Sequence, residues 1–318
     1  MKGVCDGIIG LAVGDALGVP VEFKSRREIA GNPVTSMREY GTHYQPRGVW
    51  SDDTSLTLAL LDSLSVCKKV DYDDIMKRFS NWCMYGDYTA TGEVFDIGNS
   101  TRKAIMNYGR GMNPLDCGGA SEYENGNGSL MRILPIAYYL SSHECKDISF
   151  QMEVIHKVSA LTHRHPISLI GCGIYVRIAM KIISTSLTLT ECISEGIREA
   201  FEYYEDVQMD QVSRYSRLKD LDNFSNLPED EIRSSGYVVD TLEAAVWCLL
   251  NTDSYKACVL KAVNLGDDTD TVGAVAGGIA GMYYGINAIP SEWLEAVAKK
   301  QYINQLCNEF LENGVKCK

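Results

Sequence analysis

Apolar residues in this chain recur at helical spacing almost from end to end, and that period governs what it can fold into. Leu242, Ala245, Val246, Leu249 and Leu250 fall at i, i+3, i+4, i+7 and i+8, and Leu56, Leu60, Leu61 and Leu64 repeat the pattern. From Leu169 to Ile182 only Arg177 and Lys181 interrupt an apolar run, as in a helix buried on all sides. Sustained period-2 alternation is rare. Turn punctuation at Gly31-Asn32-Pro33, Pro46-Arg47-Gly48, Gly109 to Pro114, Gly118-Gly119 and Asn125 to Gly128 falls between the helical runs. The expected fold is therefore an all-α multi-helix bundle. No Pro/Ser/Gly-rich linker divides residues 1–318, so one domain is expected, with the charged stretch 204–236 as a peripheral excursion.

With 45% hydrophobic and 23% charged residues over 318 positions, the chain is neither disordered nor fibrous. Lys and Arg number 30 against 42 acids, a net charge of −12, and no dense basic run exists, which argues against nucleic acid as a general partner and against an anionic lipid surface. The 11 cysteines are odd in number, include no C-x-x-C pair, and read as mostly buried thiols of a reducing compartment. The opening MKGVCDGIIGLAVGDALG is interrupted by Asp6 and Asp15 and resembles neither a signal nor a transit peptide, so the expected location is the cytoplasm. Thr271 to Ser291 lacks any charge over 21 residues, near the length of a membrane span. Gly273, Gly277, Gly278, Gly281 and Gly285 make a buried central helix the better reading, and no second such segment occurs.

Ser51-Asp52-Asp53-Thr54 stands just before the leucine-periodic helix, so a hydroxyl and two carboxylates converge at a helix N-terminus. Capping alone would explain that, since Ser is a preferred N-cap and acids in the first turn complement the helix dipole. Gly266-Asp267-Asp268-Thr269-Asp270-Thr271 precedes the glycine-rich helix, where capping accounts for one or two acids but not comfortably for three. Carboxylates this close beside an apolar helix repel each other and resist desolvation unless a cation compensates them, and no Lys or Arg occurs between Lys261 and Lys299. Mg²⁺ or Mn²⁺ suits such oxygens, whereas His43, His143, His156, His163 and His165 have no cysteine at zinc-ligand spacing. If the two acid groups meet, they can hold a pair of metals about 3.5 to 4 Å apart.

Three further stretches carry candidate chemistry. Gly14 to Phe23 closes the first helix and presents Glu22, a site acid or a solvated loop residue. Asn125-Gly126-Asn127-Gly128-Ser129, read as opening a helix with Leu130-Met131-Arg132, offers backbone N–H groups and a helix dipole to an anion such as phosphate, or is an ordinary polar turn. No Gly-Lys-Ser/Thr follows, so it is not a Walker loop. Thr162-His163-Arg164-His165-Pro166 reads as a hydrogen-bonding element at a pocket rim or as a plain loop.

Taken in order, GDALGVPVEF, WSDDTSLTLAL, FDIGNSTR, NGNGSLMR, LTHRHP and NLGDDTDTVGAVAGGIAG resemble the ADP-ribosylglycohydrolase family, in particular its dinitrogenase-reductase-activating branch, from Gly3 to about Pro290. The resemblance implies an orthogonal all-α bundle with a binuclear Mg²⁺ or Mn²⁺ centre that cleaves the glycosidic bond between ADP-ribose and an acceptor. It assigns Ser51, Asp52 and Asp53 to one metal-binding trio and Asp268, Asp270 and Thr271 to the other, and it leaves Asp267 out. Glu22 matches an acid that closes over the metals, and Glu22, Asp52 and Asp53 are the catalytic candidates. Gly126, Asn127, Gly128 and Ser129 match the loop that cradles the diphosphate and proximal ribose, with His163 at the same pocket. Asp96 matches an acid on the acceptor side, where a carboxylate suits a guanidinium.

The activity so implied reverses mono-ADP-ribosylation, with ADP-ribosyl-arginine on protein as first choice. Serine-linked, O-acetyl- and nucleic-acid-linked ADP-ribose are the alternatives, as is a catalytically silent ADP-ribose-binding relative. An isoprenoid-synthase-like enzyme is the rival from another reaction class, but it would carry its acids within helices rather than at their starts. The partner is then an ADP-ribosylated protein or a small ADP-ribose conjugate, with no membrane, and monomer is the default state.

Overall fold

The computed structural model describes residues 3–142 and 147–313; His143, Cys145 and Cys317 lie outside the described residues. The α-helices are α1 (Val4–Gly18), α2 (Arg26–Gly31), α3 (Asp52–Cys67), α4 (Tyr72–Tyr85), α5 (Asn99–Gly109), α6 (Leu134–Ser142), α7 (Ile148–Ala160), α8 (Pro166–Ser184) and α9 (Leu189–Asp206). They continue with α10 (Leu221–Ser225), α11 (Val238–Leu250), α12 (Tyr255–Asn264), α13 (Thr269–Tyr284), α14 (Ser291–Ala296) and α15 (Lys300–Glu312). Among the described residues no strand forms, only isolated bridges of Gly119 with His163 and Gly126 with Tyr237. The bundle is all-helical, as the periodicity requires, and one apolar core runs from Val4 to Phe310.

At its centre α1 and α13 lie against each other, both apolar on nearly every side and buried along most of their length. Their contact is glycine on backbone: a Cβ on Gly14 would stand 2.0 Å from the carbonyl oxygen of Gly273, and one on Gly10 would stand 2.5 Å from that of Gly277. Any side chain at Gly14 would force the two helices apart. This close approach brings the end of α1 to the start of α13, where the Thr269 hydroxyl donates to the Gly18 carbonyl at 2.8 Å. Helix α3 packs on α1 and α13 as well, so its acid-bearing start reaches the same end of the bundle.

Two helical runs, Val4–Val21 and Pro166–Ser184, are long and apolar enough to cross a bilayer by length and composition, and 89% and 67% of them is buried inside the fold. The uncharged run from Thr271 to Ser291 is not one helix: α13 ends at Tyr284, and Gly285 (φ 81°) turns the chain away. The excursion at 204–236 is largely exposed short helical turns, but it is anchored by buried Tyr215, Leu218 and Phe224, with the Tyr215 hydroxyl donating to the Ile167 carbonyl at 2.8 Å. Its end is not peripheral, because the Ser234 carbonyl accepts from the Asp268 N–H at 3.0 Å.

The glycine-rich loop also differs from expectation. Residues 128–132 form a turn, and α6 begins only at Leu134. Pro135 explains the delay, since it lacks the N–H an earlier start would need and its ring would clash with the carbonyl four residues back. Any anion bound by this loop therefore meets turn N–H groups and side chains, without the α6 dipole. The described cysteines are free thiols, and most are buried.

Candidate active site

The starts of α3 and α13 do meet. Ser51 is the N-cap of α3, its hydroxyl accepting from the Asp53 N–H at 3.3 Å and donating to Asp53 Oδ2 at 3.1 Å. Thr271 Oγ1, on α13, reaches the same Asp53 oxygen at 3.4 Å. Capping thus accounts for Ser51 but not for the acid of the second group. Asp268 is the N-cap of α13 by position, yet its carboxylate makes no capping bond and instead accepts from Asn127 Nδ2 at 2.7 Å. Asp270 is fully buried; one carboxylate oxygen accepts from the Thr271 N–H at 2.9 Å, and the other has no hydrogen-bond partner. Asp53 Oδ1 is likewise buried and without a partner.

Glu22 is brought over this cluster by a short backbone splice. The Phe23 N–H donates to the Asp267 carbonyl at 2.7 Å and the Asp267 N–H to the Lys24 carbonyl at 2.8 Å. Asp267 itself is exposed and in the left-handed region (φ 59°), so it serves through its backbone. Single carboxylate oxygens of Glu22, Asp268 and Asp270 lie within 4.8 Å of one another. Burial, and then repulsion from Asp96, Asp268 and Asp15, pushes the Glu22 carboxyl up to about 10. Burial also raises Asp52, Asp53 and Asp270 well above the carboxylate range, with neighbouring acids adding to it. No Lys or Arg among the described residues pairs with these acids. Orphaned, buried, mutually repelling carboxylate oxygens are the donor set a hard divalent cation satisfies, so the site fits such an ion.

A cavity of about 380 Å³ opens on this cluster. Glu22, Asp52, Asp96, Asp268 and Thr271 line one side of it. Gly126, Asn127, Gly128 and His163 line the other. The exposed rings of Phe23 and Tyr123 also border it. The loop is sewn in place by the Asn127 N–H donating to the Gly236 carbonyl and the Val238 N–H to the Asn125 carbonyl, each at 3.0 Å. Gly128 is required by space: a Cβ there would come within 2.9 Å of His163 Cε1 and 3.0 Å of Thr101 Oγ1. Burial, with help from Arg132, drops the His163 imidazole to about 3, so the ring is neutral at pH 7. His165, by contrast, caps α8, accepting from the Ile167 N–H at 3.4 Å.

Of the residues the sequence singled out, the structure gathers Glu22, Ser51, Asp52, Asp53, Asp96, Gly126, Asn127, Gly128, His163, Asp268, Asp270 and Thr271 at this one place. It does not bring the Ser129 side chain there. Ser129 is fully buried, and its hydroxyl accepts from Ser159 Oγ at 2.9 Å and contacts Cys172 Sγ. Sequence reading missed three participants. Asp15, taken only as an interruption of an apolar run, is buried and accepts from the N–H of Ser51 (2.9 Å) and of Thr54 (3.0 Å) and from Thr54 Oγ1 (2.6 Å), which holds the α3 start in place. His43 contacts Glu22 through Nε2 and lies between the Phe23 and Phe95 rings. Thr101 and the start of α5 also line the cavity, within the FDIGNSTR motif. A carboxylate well past the first turn of an otherwise apolar helix is the signal available for Asp15.

The sequence signature of the ADP-ribosylglycohydrolase family matches residues 3–317. The chain belongs to the ADP-ribosylglycohydrolase family. It is 32% identical to an ADP-ribosylarginine hydrolase of Pseudomonas putida over 96% of this chain and 77% of that protein. It is 31% identical to the ADP-ribosyl-[dinitrogen reductase] glycohydrolase of Rhodospirillum rubrum, over 92% of this chain and 89% of the relative. A solved ADP-ribosylglycohydrolase-related protein complex superposes with a TM-score of 0.76 at 28% identity, covering 97% of this chain and 96% of the other. This chain thus carries an acid cluster built from two helix starts, on a scaffold shared with that solved relative.

Proposed function

We propose that this glycohydrolase cleaves the N-glycosidic bond between ADP-ribose and an arginine side chain on protein, with two Mg²⁺ or Mn²⁺ ions as cofactors. The observation that carries the reading is the lining of one cavity: Glu22, Asp52, Asp96 and Asp268 meet a glycine loop and a neutral His163 there, and the neighbouring buried Asp53 and Asp270 keep carboxylate oxygens without partners. The name of the relative at 32% identity supports arginine as the acceptor, and that of the relative at 31% supports a protein as its carrier.

Ser51, Asp52, Asp53, Asp268, Asp270 and Thr271 would hold the cations, which when bound lend Lewis acidity to water and ribose hydroxyls. The chain's own groups do the rest. The turn around Gly126 to Gly128 and the His163 ring receive the diphosphate end, so the ribose is directed at the acids. Asp96 meets the guanidinium of the acceptor, where a carboxylate offers a two-point contact. Glu22, held by His43 beside Asp96, stands where a proton must be delivered to the departing nitrogen as the ribose develops oxocarbenium character. Asp52 is the other cavity-lining acid able to move a proton.

The direct test is release of free ADP-ribose from arginine-ADP-ribosylated protein, with Mg²⁺ or Mn²⁺ and with chelator, beside a serine-linked substrate. Metal-dependent release from arginine alone is the expected outcome. Release from serine alone would overturn the role given to Asp96, and release undiminished by chelator would overturn the metal centre.

A further inference from the structure

Behind the anion-facing wall stands a charge that the proposed chemistry leaves unused. Arg132 is fully buried, and no carboxylate partners it. Its guanidinium lies 4.7 Å over the Phe79 ring, and its Nε and Nη1 have no hydrogen-bond partner. Its one short hydrogen bond runs from Nη2 to the Thr162 hydroxyl oxygen, at 2.6 Å. Thr162, also fully buried, contacts His163 Nδ1 at 2.9 Å. The other edge of that imidazole faces the glycine loop, since a Cβ on Gly126 or Gly128 would lie 3.5 Å from His163 Nε2.

We infer that Arg132 and Thr162 are positioning residues that lock His163 in the tautomer with its proton on Nε2, so that the cavity is offered a hydrogen-bond donor for the anionic part of the ligand. The argument is one of proton counting. A guanidinium can only donate, so the Thr162 oxygen accepts from Arg132. The Thr162 hydroxyl proton must then go elsewhere, and His163 Nδ1 is the acceptor within reach. The opposite tautomer would have Thr162 accept twice and leave its own buried O–H unsatisfied, which costs the full desolvation of that group. Burial lowers Arg132 to about 10, still charged at neutral pH, and its positive charge further disfavours the imidazolium. A neutral ring with a fixed Nε2–H is a preorganised donor, whereas a ring free to exchange tautomers would present an acceptor to a phosphate part of the time.

The inference rests on the proposed ADP-ribose chemistry for the ligand, but not for the tautomer. The test uses full-length protein with ¹⁵N-labelled histidine, with the His163 signals assigned by their loss in His163→Gln. At neutral pH the expected spectrum shows a pyrrole-type Nε2 and a pyridine-type Nδ1 for His163. Thr162→Val should mix or reverse the tautomers and weaken ADP-ribose binding, measured calorimetrically with Mg²⁺ present, by about tenfold, the worth of one hydrogen bond. Thr162→Ser, which keeps the hydroxyl, should restore both. An Nδ1–H tautomer in the unaltered protein, or a Thr162→Val protein with an unchanged imidazole spectrum or unchanged affinity, would overturn the relay. Should the unaltered protein fail to bind ADP-ribose, the functional reading and the ligand half of this inference fall together, while the tautomer is still decided by the spectrum.

Discussion

The two walls of the cavity are built on opposite principles. The acid wall joins residues far apart in the chain, from the loop after α1 and the starts of α3 and α13, and it leaves carboxylate oxygens such as Asp53 Oδ1 and Asp270 Oδ2 buried without partners. The glycine-loop wall is held by hydrogen bonds: Asn127 Nδ2 donates to Thr241 Oγ1 at 2.9 Å and to Asp268 at 2.7 Å, and the loop backbone pairs with Gly236 and Val238. The glycine loop is pinned by hydrogen bonds; the acids beside it repel one another and keep buried oxygens without partners. Net charge says nothing of this, because a chain at −12 still buries a guanidinium, Arg132, behind the loop.

The comparison breaks most sharply at Asp270. Asp270→Asn should lower ADP-ribosyl-arginine turnover by about 10³-fold or more, as loss of a charge that organises a reacting centre does, and should weaken metal binding. The same substitution should raise the melting temperature of chelator-treated protein, because it removes one of several repelling buried carboxylates. Near-normal hydrolysis, or a lower metal-free melting temperature, would mean that the acid wall carries no such repulsion.

A smaller effect is expected on the other wall. Gly128→Ala places a methyl group within 2.9 Å of the His163 ring and should weaken ADP-ribose binding by about tenfold while leaving metal affinity unchanged. If titration calorimetry shows both affinities falling together, the walls are not independent.

The most local effect is on the pH dependence of stability. The folded-state pKa of His163, about 3, lies below its value in the unfolded chain, about 6.5. Its contribution is therefore present above pH 6.5 or so and is lost as pH falls toward 3, since only the unfolded chain takes up the proton. His163→Gln should flatten the fall in unfolding free energy between pH 6 and pH 4 by up to about 1.4 kcal/mol per pH unit, read from urea midpoints. An unchanged slope would show that the ring is not held neutral.

Much of this architecture is legible before folding. Two clusters of acids at predicted helix starts, beside apolar runs, the second with no Lys or Arg between Lys261 and Lys299, already ask for a cation, and the ordered motifs from Gly14 to Gly281 point to the family. Asp15, His43, Thr101 and the Arg132–Thr162 pair were not legible. All but His43 sit inside the quoted motifs, but a motif does not say what its polar residues touch, and the partners lie elsewhere in the chain: Asp15 meets Ser51 36 positions away, and Arg132 meets Thr162 30 positions away. Ser129 illustrates the reverse error, for its place in a glycine-rich motif suggested ligand contact, whereas its side chain turns into the core.

The sequence by itself determined the helical class, the position of the acid clusters, and the helix that must be buried, because periodicity, capping and charge spacing act within a few residues of one another. Only the tertiary structure decided which acids are capped and which are left unpaired, and which loop faces them. It also decided that Pro135 withholds the α6 dipole from the glycine loop. Those outcomes depend on the close approach of α1 and α13 along their glycines, a contact between chain segments some 250 residues apart whose geometry no local pattern encodes.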